Sequence, residues 1–287
     1  MNNSKVSPLD WLRPYRRSPL SLVLRILVLL SAVITVGVLV VLIGYILIKG
    51  IPYLSPRLFE WEYNSENVSM MPAIINTVWM TLLALLFAVP AGVFAAIYLV
   101  EYAKRGNKVV SVIRITTETL SGIPSIVYGL FGFLMFVIAC HWSYTLLGGA
   151  LTLAIMILPL ILRTTEEALK AVPDSYREGS FGLGAGRLRT VFRIVLPSAM
   201  PGILSGVILG IGRIVGETAA LIYTAGTVTD IPSSVMGSGR TLAVHMYALL
   251  SEGLHMEEAY ATAVVLLVLV VGINALSGAI AKKLGNR

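Results

Sequence analysis

Six stretches of this chain, at about residues 22–48, 73–100, 118–139, 144–162, 201–224 and 259–281, are long and apolar enough to cross a bilayer. A spanning helix needs roughly 20 mostly apolar residues. Inside hydrocarbon only helices and closed barrels satisfy the backbone, and barrel strands are shorter and alternate in polarity. The runs therefore read as helices, and the expectation is an all-α integral membrane protein with six transmembrane helices. Composition agrees: 56% of the 287 residues are hydrophobic, 13% are charged and mean hydropathy is +0.84, whereas a soluble domain is about a quarter charged. No hydrophilic stretch is long enough for a separate catalytic domain.

The net charge of +7 would point to nucleic acid in a soluble protein. Here the basic residues flank the apolar runs, so they read as a topology signal and nucleic acid is not an expected partner. One side of the membrane receives Lys5, Arg13, Arg16, Arg17 and Arg25, then Lys104, Arg105, Lys108 and Arg114. It also receives Arg163, Lys170, Arg177, Arg187, Arg189 and Arg193, and finally Lys282, Lys283 and Arg287. The other side has Lys49, Arg57 and Arg240, a split of 18 to 3 with Arg213 left over. Both termini are expected to be cytoplasmic, with residues 1–21 a cytoplasmic tail and 22–48 an uncleaved first span.

Prolines at Pro90, Pro124 and Pro159 should kink three helices. Small residues four apart at Gly202, Gly206 and Gly210, and at Gly212 and Gly216, allow close approach of another helix; ordinary packing and a dimer seam are both open. The single Cys140 excludes an intrachain disulfide, and His141, His245 and His255 are too scattered for a metal site. No Gly-x-x-x-x-Gly-Lys-Ser/Thr phosphate cradle occurs, and no carboxylate pair or activated nucleophile stands in a loop. An enzyme is not expected, nor any cofactor in this chain.

The longest loop on the basic side, residues 163–197, contains turn residues at Pro173-Asp174, capping-box spacing at Ser175 and Glu178, and Gly182, Gly184 and Gly186. It reads as a short helix, a glycine-rich turn and a second short helix through Leu188, Phe192 and Leu196. It is either a structured loop on the membrane surface or a docking element for another protein.

The spacing resembles the ABC-importer permeases, whose pattern is Glu-Ala-Ala, three residues, Gly, nine residues and Ile-x-Leu-Pro. Here the positions are Glu178-Gly179-Ser180, Gly184 and Ile194-Val195-Leu196-Pro197, with Gly179 and Ser180 in place of two alanines. Together with "LSGIPSIVYGLFG", "RTTEEAL" at Arg163–Leu169 and "GIGRIVGETAALIYTAG", the likeness narrows to the A-type permease of the phosphate-uptake ABC transporter. It covers roughly three-quarters of the chain, from about Asn76. It departs at Ala219-Ala220, where that type often has Ala-Pro.

The resemblance implies a type I importer permease fold over residues 73–281 in the cytoplasmic (inner) membrane. It implies that Ser175, Tyr176, Arg177, Glu178, Gly179, Ser180, Phe181 and Gly184 dock an ATPase subunit. Its expected partners are a homologous C-type permease, two ATPase subunits carrying ATP and Mg, an extracytoplasmic phosphate-binding protein and membrane lipid. The outward segment 227–258, with a short helix expected at Thr241–Gly253, is either a lid on helix tips or a contact for the binding protein.

Arg213 and Glu217 lie four apart in the fifth run and should share a helix face. A charge at a helix centre costs about 2.5–3.5 kcal/mol on insertion scales. Either the two neutralise each other, or Arg213 meets phosphate with its planar fork while Glu217 tempers its grip. Arg163 could guide the anion at the exit or merely snorkel, and Thr218 and Thr224 could donate hydroxyls or bond their own helix. Glu118, Ser121, Gly122 and Ser125 are weaker candidates. The rival readings are the same machine with another cargo, such as sulfate, molybdate or an amino acid, or a stand-alone anion channel or secondary transporter.

Overall fold

A computed structural model of the chain describes residues 19–104 and 106–285. The expected cytoplasmic tail therefore lies, through residue 18, outside the described residues, as do Arg105 and Arg287. The chain divides into two units, residues 1–49 and 50–287. The first is formed by helix α1 (Pro19–Gly50), 32 residues and apolar all round. Two of its hydroxyls are hidden on its own backbone: Ser31 donates to the Leu27 carbonyl and Thr35 to that of Ser31, each at 2.8 Å.

The second unit is a helical bundle. Helix α2 (Met71–Ile97) continues through a π-helical turn to Tyr102. Helix α3 (Lys108–Ser121) and helix α4 (Ser125–Gly132, prolonged as a π-helix to Ala139) follow. Helix α5 (Leu146–Ala171) is the central one, succeeded by the short α6 (Asp174–Gly182). Helix α7 (Arg187–Thr190) runs through a π-turn into α8 (Leu196–Val215), and then come α9 (Ala219–Ile222), α10 (Leu242–Glu252) and α11 (Met256–Gly285). Five helices are long and apolar enough to span, or six if the bent α3–α4 pair is one crossing.

Small residues set the packing. On α2, Ala84, Ala88, Gly92 and Ala96 recur every fourth position and let its backbone close on α5. On α8, Gly202 and Gly206 face α5, where an added methyl would collide with Ala168 and Thr164. The stripe of Gly202, Gly206 and Gly210 is thus a seam within this chain, whereas Gly212 and Gly216 do not face α5. The core beneath it joins Met80, Leu153, Ile157, Ile161, Ile214 and Leu221.

Two expected spans are broken. The run 118–139 is not one helix: α3 and α4 meet at 104°. Pro124 offers no N–H and disfavours helical backbone at Ile123, and the Tyr128 hydroxyl donates to the Leu120 carbonyl at 2.8 Å, beside the Ile123 N–H that the same carbonyl accepts at 3.1 Å, so α4 is tied to the end of α3 across the bend. The run 201–224 is also divided. The helix starts earlier, continuous from Arg187, and stops at Val215, with α9 a separate turn. Pro90, Pro159 and Pro201 by contrast stay inside their helices. The expected capping box at Ser175 is not formed either, because α6 starts one residue earlier behind Pro173.

One end of the bundle collects the close of α2, the start of α3, the end of α5, α6 and α7. It therefore gathers Lys104, Lys108, Arg114, Arg163, Lys170, Arg177, Arg187 and Arg189. The other end is closed by residues 227–258. Gly237 and Val235 carbonyls accept the first N–H groups of α5, at Leu146 and Leu147, both at 2.9 Å. Asn76 donates to the Asp230 and Arg240 carbonyls, and the Leu242 N–H donates to Thr77 at 2.8 Å. Arg240, one of the three basic residues on the sparsely charged side, is only 4% exposed and stands 4.8 Å over the Tyr63 ring.

Candidate functional site

Arg213 occupies the last turn of α8, where the helix's own carbonyl dipoles favour a cation. It is partly exposed, and it lies close enough to Tyr128 for its charge to act on the phenol. The same phenol ties α4 to the end of α3, next to the exposed turn at Ser121 and Gly122.

Glu217 does not pair with Arg213 along a helix. Gly216 ends α8, and among the described residues no ion pair joins the two side chains. The Glu217 carboxylate is instead buried, and its Oε1 accepts the Ala220 N–H at 3.0 Å, capping α9 from the residue before Thr218. Thr218 makes no side-chain cap bond, and Thr224 donates to the Ala220 carbonyl at 2.8 Å. The break thus places Arg213, Glu217 and Thr218 around one interruption of the helix, with the arginine free of an intrahelical carboxylate.

Arg163 is far along the chain's basic end. It is 62% exposed and donates to Glu167 at 3.1 Å. With Arg114 and Glu118 it lines a shallow cavity of about 210 Å³ between α3 and α5. Glu118 therefore belongs with Arg163, not with Arg213. Between them sits Glu166, a residue whose role has no signature in the sequence: its 8%-exposed carboxylate receives both Arg114 from α3 and Lys170 from the next turn, each at 2.6 Å.

The helix α6 carries the spaced loop pattern. Tyr176 and Phe181 are exposed, and Leu183 beyond them is 91% exposed. Ser175, Glu178, Gly179 and Gly184 are exposed as well, Gly184 with φ +82° in the turn that ends the helix. Two residues of the pattern turn inward. Ser180 is buried with its hydroxyl 2.8 Å from that of Thr190, and Arg177 is held by Glu101 at the end of α2.

Residues 88–287 match the family described as binding-protein-dependent transport system inner membrane component. A probable ABC transporter permease protein of Bacillus subtilis, YqgI, is 37% identical over 78% of this chain and 81% of its own length. The phosphate transport system permease protein PstA 1 of Mycobacterium tuberculosis is 36% identical over 70% of this chain and 67% of its own length. Among solved structures, a bacterial alginate ABC transporter in complex with an alginate-bound periplasmic protein matches with a TM-score of 0.69 at 14% identity, covering 95% of this chain and 98% of that one. A methionine transporter in an inward-facing conformation matches with a TM-score of 0.58 at 20% identity over 74% and 94% of the two chains. At these identities the structures speak for the fold alone.

Proposed function

The chain belongs to the family of binding-protein-dependent transport system inner membrane components, and from that premise we propose that it is a permease subunit of an ATP-driven importer of inorganic phosphate. Phosphate as cargo is supported by the likeness to permeases named for phosphate transport over 70% of the chain. The ATPase is a separate subunit. Six crossings, counting the bent pair, make half of a pathway, so a homologous C-type permease would supply the other half, two ATPase subunits the energy and an extracytoplasmic binding protein the phosphate. The strongly basic end of the bundle would face the cytoplasm.

The observation that carries the residue-level reading is Arg213, a guanidinium beside a break in α8 with partial exposure and a neighbouring phenol. Phosphate is strongly hydrated, and hydrocarbon cannot replace its water. A guanidinium donates paired hydrogen bonds to an oxyanion and keeps its charge. Partial exposure leaves its donors reachable. ATP binding would draw the ATPases together, move α6 and open the pathway outward; hydrolysis would return it inward.

The test is Arg213→Gln in the assembled complex, with uptake of phosphate, arsenate and sulfate measured in competition. Phosphate uptake should fall at least tenfold while the partner subunits still copurify, and sulfate should not compete in the unmodified complex. Normal uptake by the variant would remove Arg213 from the path, and equal competition by sulfate would remove phosphate as the specific cargo.

A further inference from the structure

The helix α6 is poorly joined to the helix before it. Val172 is extended and Pro173 offers no N–H, so no helical hydrogen bond carries α5 into α6. Beyond α6 the chain turns through Gly184 in a left-handed conformation. A push on so short a helix would bend these linkers unless side chains tie it down. Besides the Ser180–Thr190 bond, one half-buried side chain, Arg177, ties it back to α2 and α5. Arg177 Nη2 donates to Glu101 Oε1 at 2.7 Å and Nε donates to the same carboxylate at 3.1 Å, a forked contact with the π-turn that ends α2. Nη2 also donates to the Leu169 carbonyl at 2.9 Å, which otherwise accepts only the long 3.4 Å bond from the Val172 N–H, and Nη1 donates to the Val172 carbonyl at 2.8 Å, so both bonds fall on the end of α5. Nη1 reaches Asp174 at 3.2 Å. The pair is 14% and 9% exposed, so solvent screens it little.

We propose that Arg177 is a positioning residue that makes α6 move as one body with the ends of α2 and α5, through its fork to Glu101 and its bonds to the Leu169 and Val172 carbonyls. It rests on the reading of α6 as the helix that docks the ATPase. Arg177 then does its work on this chain's own interior, and the exposed Tyr176, Phe181 and Leu183 are left to meet the partner. Only a guanidinium has the planar set of donors to reach a carboxylate and two carbonyls at once. The contrast is with α3, whose link to α5 through Arg114 is a pair with a 45%-exposed cation. The α2–α5 core would follow α6 directly, and α3 more loosely.

The experiment uses the full complex with its binding protein in lipid vesicles, and reads ATPase copurification and the ATP hydrolysed per phosphate imported. Variants are Arg177→Met, Arg177→Lys, Glu101→Gln and, as a docking control, Leu183→Glu. Arg177→Met and Glu101→Gln should keep the ATPase bound yet raise the ATP-to-phosphate ratio about tenfold and several-fold respectively. Arg177→Lys should fall between Met and the unmodified protein, since an ammonium makes part of the set. Where Arg177→Met fails to accumulate, Glu101→Gln decides. A ratio unchanged within twofold in Glu101→Gln overturns the proposal, and so does loss of the ATPase in Arg177→Met alone, which would make Arg177 a direct contact. Leu183→Glu tests the underlying reading by itself: it should strip the ATPase, and retention would refute α6 as the docking helix whatever Arg177 does.

Discussion

At the scale of single residues, the buried polar groups have two kinds of work, and pH and isosteric changes tell them apart. Glu217 caps α9 through one carboxylate oxygen. Glu217→Ala should therefore cost about 1 kcal/mol of stability, as lost caps do, while Glu217→Gln keeps an acceptor oxygen and should leave the melting temperature nearly unchanged. If the charge also tempers Arg213, the glutamine variant should import phosphate more slowly at saturating substrate; equal turnover would confine Glu217 to capping. His245 is the opposite case, a base kept neutral. Burial first, then the neighbouring Arg240 charge, holds its pKa down to about 3, with the Val68 backbone pulling the other way. Its ring meets Tyr63 edge-on at 6.2 Å. The unfolded chain binds a proton near pH 6.5 and the folded one does not until about 3. This contribution is thus complete above pH 6.5 and is lost as pH falls from there toward 3, roughly 2 kcal/mol at pH 5. Melting curves at pH 7.5 and 5 should show a larger acid loss for the unmodified protein than for His245→Leu, and parallel losses would clear His245 of the effect. Burial also lowers the Arg240 pKa, with the Tyr63 hydroxyl and Glu252 acting against it.

Among elements, the seam between α5 and α8 is the tightest consequence of sequence. Gly206 faces Thr164 so closely that a methyl cannot be added without displacing it, whereas Gly272 on α11 has open space around its Cα. Gly206→Ala should destabilise by about 1–3 kcal/mol, the usual cost of overpacking, and Gly272→Ala should hold or raise the melting temperature of the purified complex. Reversal of that order would mean the seam relaxes. The spans, the polarity of the loops, α6 and α10 were all legible, because each depends on apolar length or on local turn chemistry. The breaks were not. Three prolines looked alike in sequence, yet only Pro124 ends a helix, since a glycine two residues before it and the Tyr128 hydroxyl together stabilise the bend. Arg213 and Glu217 looked like neighbours on one helix until Gly216 ended it. Glu101 and Glu166 were invisible for a different reason. A charge at a helix end reads as solvated, and nothing local says that an arginine 76 residues away folds onto it.

For the molecule as a whole, the two ends of the bundle differ so strongly in charge that orientation becomes a measurable consequence. The basic end holds α6 and the ends of α2 and α5, while the opposite end is capped by the segment that folds over the starts of α2 and α5. Positively charged loops resist translocation, so the first end should lie in the cytoplasm and the second outside. The chain supplies its own probe. Cys140 is the single cysteine, is exposed, and follows α4 at the end where α5 begins. A membrane-impermeant maleimide applied to intact cells should label it. In a Cys140→Ser background, Leu183→Cys, at a position 91% exposed beyond α6, should label only in inside-out vesicles. The reverse pattern would invert the protein in the membrane, and with it the side on which α6 could meet an ATPase. Labelling of both sites from one side would instead mean that α5, the span between them, does not cross; whether Cys140 and the loop before α3 lie on opposite sides is what tests the α3–α4 pair. Its two halves meet at 104°, and neither is long enough to span alone, so crossing requires the bend itself to lie within the bilayer. There its freed backbone groups need protein or water as partners. The Tyr128 hydroxyl already serves one of them, the Leu120 carbonyl, which also accepts the Ile123 N–H.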